Sequence, residues 1–373
     1  MGDDLKIKFN SFHLTQRLPP LCIFRFLVFW SPLFSVGALP SIRIYPVVEV
    51  KDFVYAHKYG WLAALLQTAE GFMLRPEREL GEALARRLGL RQYLLRRYGV
   101  RLDGGVIMMD HGIMSQSFTA VFGVAKTPRN VVRVYAALGV DYGIAFDIPA
   151  RLGAAAQDPA ARRARNAKEL SRIAAEEGAR RLREMAEEAE RVGFAGLVPV
   201  VQGLYRDDVE LSAEESVRIM AERRGSFTVA IGTGGRALAR RDAELIRFAV
   251  DAVERYAVRY GASVRIHLLG WSSPERLRDP SLIRRIYSAD SLTPRRRAVE
   301  GKAYVVEGGR LRLVKAPEAA RYNCGCPACG DPALRAYVLD PSGARRNDVR
   351  MVHNLHVLQR YLSAATDRQR TLV

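Results

Sequence analysis

Two acidic residues, Asp110 and Asp290, each close a short apolar run, Val106–Met109 in the first case and Ile286–Ala289 in the second. Burial and neighbouring groups can tune an acid in that position, keeping one ionised while another carries a proton. Such a pair suits retaining glycosyl transfer, in which one carboxylate attacks a sugar anomeric carbon and the other acid protonates the departing base. Asp290 is then the nucleophile and Asp110 the proton carrier. An Asp after a strand serves equally well as a helix N-cap or a turn residue. A third acid, Asp147, follows the run Tyr142–Phe146 and could accept hydrogen bonds from ring and exocyclic N–H groups on the Watson–Crick edge of guanine. Gln202 and the backbone N–H groups of Gly203 and Gly232 could serve the purine carbonyl, or the glycines could simply allow tight turns after strands. The stretch Gly232-Thr233-Gly234-Gly235 lacks the Gly-Lys-Ser/Thr ending of a phosphate loop and does not fit the GxGxxG spacing.

A second constellation binds metal rather than substrate. Cys324, Cys326 and Cys329 fall in the pattern Cys-Gly-Cys-Pro-Ala-Cys, with His353 on an expected helix downstream. Three thiolates and one imidazole fill a tetrahedral Zn2+ site and leave no open position, which marks a structural metal. His356 competes for the fourth place, because it lies one helical turn beyond His353. The fourth cysteine, Cys22, is remote from the cluster, so the pattern is a single metal site in a reducing, cytoplasmic setting and not a disulfide framework.

The chain of 373 residues is 49% hydrophobic and 26% charged, enough to bury a large core and to exclude wholesale disorder. Its formal net charge of +18 draws polyanions, and nucleic acid is the first partner to consider. Arginine-rich solubility is the plainer explanation of the same charge. Around Asp290 the guanidinium groups are dense, with Arg284 and Arg285 before it and Arg295, Arg296 and Arg297 after it, a set suited to bidentate phosphate contacts. Near the N-terminus, Leu21–Leu39 is mostly apolar and follows Lys6, Lys8 and Arg17, yet Arg25 and Pro32 interrupt it. A charge within such a segment is costly in lipid, so residues 1–40 are expected to be a dispensable extension and no membrane anchor.

The acids must be positioned by a repeating framework. From about Tyr45, short apolar runs alternate with longer segments rich in Ala, Arg, Glu and Leu. Strands are expected at 105–109, 142–146, 196–201, 227–231, 263–269 and 286–289, with helices at 159–192, 213–223, 242–260 and 273–287. Each strand is followed at once by a polar or glycine motif. In a parallel α/β barrel the carboxyl ends of the strands meet at one mouth, where chemistry sits; a doubly wound open sheet would also place ligands at strand ends. The regular spread of polar strand ends favours a (β/α)8 TIM barrel over residues 41–310, with a Cys3His zinc-binding subdomain over 311–373.

From about Val106 to the C-terminus, these motifs in this order resemble the tRNA-guanine transglycosylase superfamily. Met109-Asp110-His111-Gly112 is similar to its Asp-Ser-Gly-Gly segment, with His in second place, and Phe146-Asp147-Ile148-Pro149 to the Leu-Asp-Ile-Pro of its archaeal branch. Val201-Gln202-Gly203 matches Val-Gln-Gly. Ala230-Ile231-Gly232 is similar to Ile-Gly-Gly, with Thr233 replacing the second Gly, and His267-Leu268-Leu269-Gly270 to His-Leu-Phe-Gly. Ala289-Asp290-Ser291 corresponds to Phe-Asp-Ser, and His353-Asn354-Leu355 to the end of the zinc motif, which favours His353 over His356. The resemblance implies a ping-pong exchange of a guanine in tRNA for a 7-deazaguanine through a covalent Asp290–sugar intermediate, with Leu269 and Met114 sandwiching the base. It implies Zn2+ as a structural cofactor and either a homodimer or a partner subunit that supplies RNA-binding domains. The same exchange on DNA, and a catalytically silent nucleic-acid-binding subunit, are the alternatives.

Overall fold

The computed structural model describes residues 42–111, 117–148, 158, 160–232, 242–270, 280–341 and 347–367. The chain divides into two units, Met1–Leu39 and Pro40–Val373. The first unit lies outside the described residues, as do the expected extension 1–40 and Met114.

Nine short strand segments carry the fold: β1 Arg43–Pro46, β2 Gly71–Leu74, β3 Val106–Met109, β4 Tyr142–Ile144, β5 Leu197–Val198, β6 Val200–Val201, β7 Ser226–Gly232, β8 Ser263–Leu269 and β9 Ile286–Ser291. All pair in parallel, in two sheets of order β2-β3-β4-β5 and β1-β9-β8-β7-β6. The sheets meet at both ends. Val47 bridges Met73 in parallel, and the Val48 N–H donates to the Met73 carbonyl at 3.0 Å. At the other end β5 and β6 are one run broken at Pro199, which has no N–H to give the ladder. With β5 and β6 taken as one, the strands follow chain order round a ring of eight, the layout of a parallel α/β barrel.

Alternation along the strands sorts side chains into two layers. Tyr45, Val47, Met73, Met108, Ile144, Val198, Val200 and Ala230 pack together, joined by Leu269, and fill the inside of the ring. The neighbours at odd register, such as Ile44, Phe72, Ile107, Ile266 and Leu268, belong to the larger core under the helices. At the amino ends of the strands a polar plug replaces hydrocarbon. Arg43 ion-pairs with Glu70 at 2.7 Å, and Arg43 and Arg265 lie over the Tyr287 ring at 4.7 and 5.0 Å.

Several boundaries differ from the sequence expectation. The helix expected over 159–192 begins only at Ala167, because the Asn166 side chain caps it by accepting from the Glu169 N–H; a separate 3-10 turn covers Ala161–Arg163. The helix expected from Ala213 runs from Arg206 to Ala221. Ser212 therefore lies inside it, and its hydroxyl accepts from the Gln202 N–H at 3.1 Å. The segment expected as one helix over 273–287 ends, within the described residues, as a short helix Pro280–Ile283 that gives way to β9. Pairing of β9 with both β1 and β8 outweighs its weak helical pattern. Strands β1 and β2 were not foreseen, since Arg-Ile-Tyr-Pro and Gly-Phe-Met-Leu are too short to show a period.

After the barrel the chain forms an antiparallel hairpin, β10 Lys302–Glu307 and β11 Arg310–Lys315, and then the helices Pro327–Gly330, Pro332–Leu339 and Asn347–Asp367. Two buried polar residues of the last helix lock this region down. Asn354 accepts from the Tyr304 N–H at 2.8 Å and donates to the Pro294 and Lys302 carbonyls at 3.2 Å. Arg350 donates to the carbonyls of Val338 at 2.9 Å and Ala298 at 2.7 Å.

Candidate functional site

Asp290 sits near the carboxyl end of β9 and is 5% exposed. Its Oδ1 accepts from the Gly270 N–H at 2.7 Å, and His267 Nε2, on the adjacent strand β8, lies 3.4 Å away. His267 is fully buried, and its Nδ1 is 2.8 Å from the Ser288 hydroxyl. Strand register creates this chain: His267 pairs with Ser288, while β1 on the other side sets Tyr45 opposite Asp290. Among the described residues the hydrogen bonds fall on Oδ1, so the carboxylate is held by one oxygen with the other available for bond formation. Tyr45 adds a buried phenol whose ring lies 5.9 Å from that of His267, and burial pushes its hydroxyl well above the usual tyrosine range.

Asp110 follows β3, and its N–H donates to the Leu74 carbonyl at 2.9 Å. Because β3 and β9 run parallel in one ring, Asp110 and Asp290 both belong to the carboxyl mouth. Next to Asp110 stands His111, fully buried and stacked on Phe146 with ring centroids 4.6 Å apart and planes 14° apart. His111 Nε2 is 3.2 Å from Asp147 Oδ1, within ion-pair range yet off the line of a hydrogen bond. Lys126 reaches the same place, its ammonium 5.7 Å from the Phe146 centroid. Burial lowers the Lys126 amine from its usual range against the opposing pull of Asp110, Asp147 and Asp158. Arg181, 5.4 Å from the Phe146 centroid, is clamped bidentately by Asp158 at 2.6 and 2.9 Å.

Gln202 is buried and spans two backbone segments: its Oε1 accepts from the Ile148 N–H and its Nε2 donates to the Ala174 carbonyl, both at 2.9 Å. Gln202 thus braces the segment that carries Asp147. Gly203 has a φ of +151°, and a Cβ there would stand 2.9 Å from the Val209 nitrogen, so the turn into the following helix requires glycine. Gly232 closes β7, and Leu269 closes β8 beside the interior layer. Of the arginines after Asp290, Arg295 is bidentate to the buried Asp52 at 2.8 and 3.0 Å, while Arg296 and Arg297 bond to Glu300 at 3.2 and 2.8 Å. Arg285 is tied to Glu254 and Asp251. All these guanidinium groups have partners within the chain, and Arg296, at 62% side-chain exposure, presents the most surface.

The sulfurs of Cys324, Cys326 and Cys329 and a nitrogen of His353 all lie within 4.8 Å of one another, a group that could hold a metal ion. His353 Nδ1 faces the cluster, 3.3 Å from Cys329 Sγ and 3.6 Å from Cys326 Sγ. The other ring nitrogen, Nε2, donates to the Tyr304 carbonyl at 2.9 Å, which fixes the tautomer and frees Nδ1 for a metal. Cys326 Sγ also accepts from the Cys329 N–H at 3.2 Å. His356 is not part of this group, so geometry decides between the two histidines in favour of His353.

The acids and the Cys3His group were legible beforehand, whereas His267, His111 and Lys126 were given no role. A buried histidine in an otherwise apolar strand was the available signal for His267. His111 and Lys126 offered none, since their partners are distant in sequence. Among the described residues no helix is long and apolar enough to cross a membrane.

A family model described as Queuine tRNA-ribosyltransferase matches residues 101–368, well over half of the chain. No curated protein matches it significantly. The matched span takes in β3 to β9, all three acids and the four members of the Cys3His group. The chain belongs to the queuine tRNA-ribosyltransferase family, a family of glycosyltransferase-type enzymes of tRNA-guanine transglycosylase base exchange.

Proposed function

We propose that this protein exchanges a guanine in tRNA for a 7-deazaguanine base through a covalent bond between Asp290 and the ribose. The target nucleotide must leave its stack, because neither C1′ nor the base edge is accessible within stacked nucleic acid. Asp147 accepts from the two adjacent N–H groups of the guanine edge, the Gly203 and Gly232 N–H groups serve the carbonyl, and Leu269 with Met114 sandwiches the ring. Gln202 acts from behind, by holding the backbone next to Asp147. The unbonded oxygen of Asp290 attacks C1′, the bond from C1′ to the base nitrogen breaks, and Asp110 gives the departing base its proton. The incoming base returns that proton to Asp110 and takes C1′ from Asp290, which leaves the enzyme unchanged. Zn2+ in the Cys3His group is structural, and the exposed Arg296 contributes to the backbone contact.

The observation that carries this proposal is the fixed carboxylate of Asp290, buried at the mouth and bonded through one oxygen to Gly270 and His267. The test is incorporation of labelled guanine into tRNA and into duplex DNA, with covalent adduct trapped on denaturing gels. Incorporation into tRNA and loss of adduct in Asp290→Ala are expected. Exchange confined to DNA would transfer the same chemistry to the other nucleic acid. Absence of an Asp290-dependent adduct on either would leave a binding subunit and overturn the enzymatic assignment.

A further inference from the structure

The side chain beside the proton carrier does not fit a purely structural role. His111 is fully buried, yet neither ring nitrogen has a hydrogen-bond partner among the described residues. Buried polar atoms are ordinarily satisfied, and an orphaned pair at a ligand mouth is kept for a reason. Its ring is held flat against Phe146, so it cannot swing away, and Nε2 is brought to 3.2 Å from Asp147 Oδ1. Asp147 needs that help. The terminal torsion of an aspartate is broad, and no protein hydrogen bond holds the Asp147 carboxylate among the described residues. A carboxylate that reads two neighbouring N–H groups must keep its plane on the base edge, since a rotated group loses the second bond.

We propose that His111 is a positioning and specificity-determining residue: clamped on Phe146, it sets the carboxylate plane of Asp147 so that both oxygens meet a base presenting two adjacent N–H donors. This rests on Asp147 as the base-reading acid. The position is also where this chain has His in place of the serine of the motif it resembles.

The test uses the full chain and labelled-base incorporation into tRNA, with KM for the base and kcat determined separately for guanine and for hypoxanthine, which lacks the 2-amino group. His111→Phe keeps the stacked ring and removes the nitrogens. It is expected to raise the guanine KM about tenfold, as the Asp147 carboxylate loses the polar neighbour 3.2 Å from its Oδ1 and can rotate off the base edge, with kcat within about threefold. It should also narrow the preference for guanine over hypoxanthine, and His111→Gln, which restores a donor, should recover most of both. A wild-type KM and preference in His111→Phe would overturn the proposal. So would a loss of kcat and KM that tracks a lower melting temperature and is not rescued by Gln. Asp147→Asn separates the two levels: an unchanged guanine KM there removes the base-reading assignment itself, whereas a raised KM with no effect in His111→Phe removes the positioning role alone.

Discussion

The proposed nucleophilic role of Asp290 requires its reacting oxygen to be held still, and the groups that hold the carboxylate come from the neighbouring β8 and the residue that follows it. Gly270 follows β8 directly, and His267 reaches Asp290 Oδ1 from within that strand while Ser288 bonds the far side of its ring. His267→Gln is therefore expected to slow adduct formation by about tenfold to a hundredfold, the usual cost of a misaligned reacting group, while nucleic-acid binding is retained. Single-turnover trapping measures this, and an unchanged rate would show that the Gly270 N–H alone orients the carboxylate. The acids themselves were readable because each terminates an apolar run in the chain. His267 was not, since the residue it serves lies 23 positions away and is brought near only by the β8–β9 register.

Among the elements, the long helix Ala167–Val192 is tied by charged contacts to the neighbouring helix Pro128–Leu138. Glu188 is 4% exposed, and it accepts from Arg191 at 2.9 Å and from Arg133 of the helix Pro128–Leu138 at 2.6 Å. The adjacent Arg191, aided by Arg133, holds the Glu188 carboxyl down at about 2, against 4.5 for an ordinary glutamate. A carboxylate depressed in the folded state contributes stability that is fully present above pH 4.5 and lost as pH falls toward 2. Acid unfolding should therefore show a stability loss across that window, with part of the slope removed in Glu188→Gln. A variant with the same slope would mean that the two arginines find other partners. Helix identity here was legible from period and composition, but its start was not. The observed start is set by Asn166, whose side chain accepts from the Glu169 N–H, seven residues after the expected start at 159.

At the scale of the whole molecule, the Cys3His group is a joint. His353 and Asn354 lie on the last helix, which bonds to β10 through Tyr304 and reaches β1 through Gln359, whose amide donates to the Ile44 carbonyl at 3.5 Å. Metal removal at this joint should loosen the C-terminal region and lower the melting temperature of the whole protein, because binding energy at a structural site is folding energy. Chelator titration followed by calorimetry and metal analysis checks this; full loss of metal with unchanged melting would contradict a structural role. The +18 charge also looks different once folded. Arg295 and other arginines pair with carboxylates within the chain, which leaves the excess of 58 Lys and Arg over 40 Asp and Glu unchanged but means that the run after Asp290 is not a set of free cations.

What the sequence determined by itself was whatever is local: acids ending apolar runs, cysteines spaced for one metal, and a β/α alternation that implied a parallel barrel. Spacing alone left His353 and His356 one helical turn apart as rivals; the His-Asn-Leu resemblance favoured His353, and the folded arrangement places it with the cysteines. Tertiary structure alone decided that the arginines after Asp290 have internal partners, and that His111 and His267 attend the acids. Those outcomes depend on register between parallel strands joined by long crossovers, and a register places residues far apart in the chain within a few ångströms of each other without leaving any local trace.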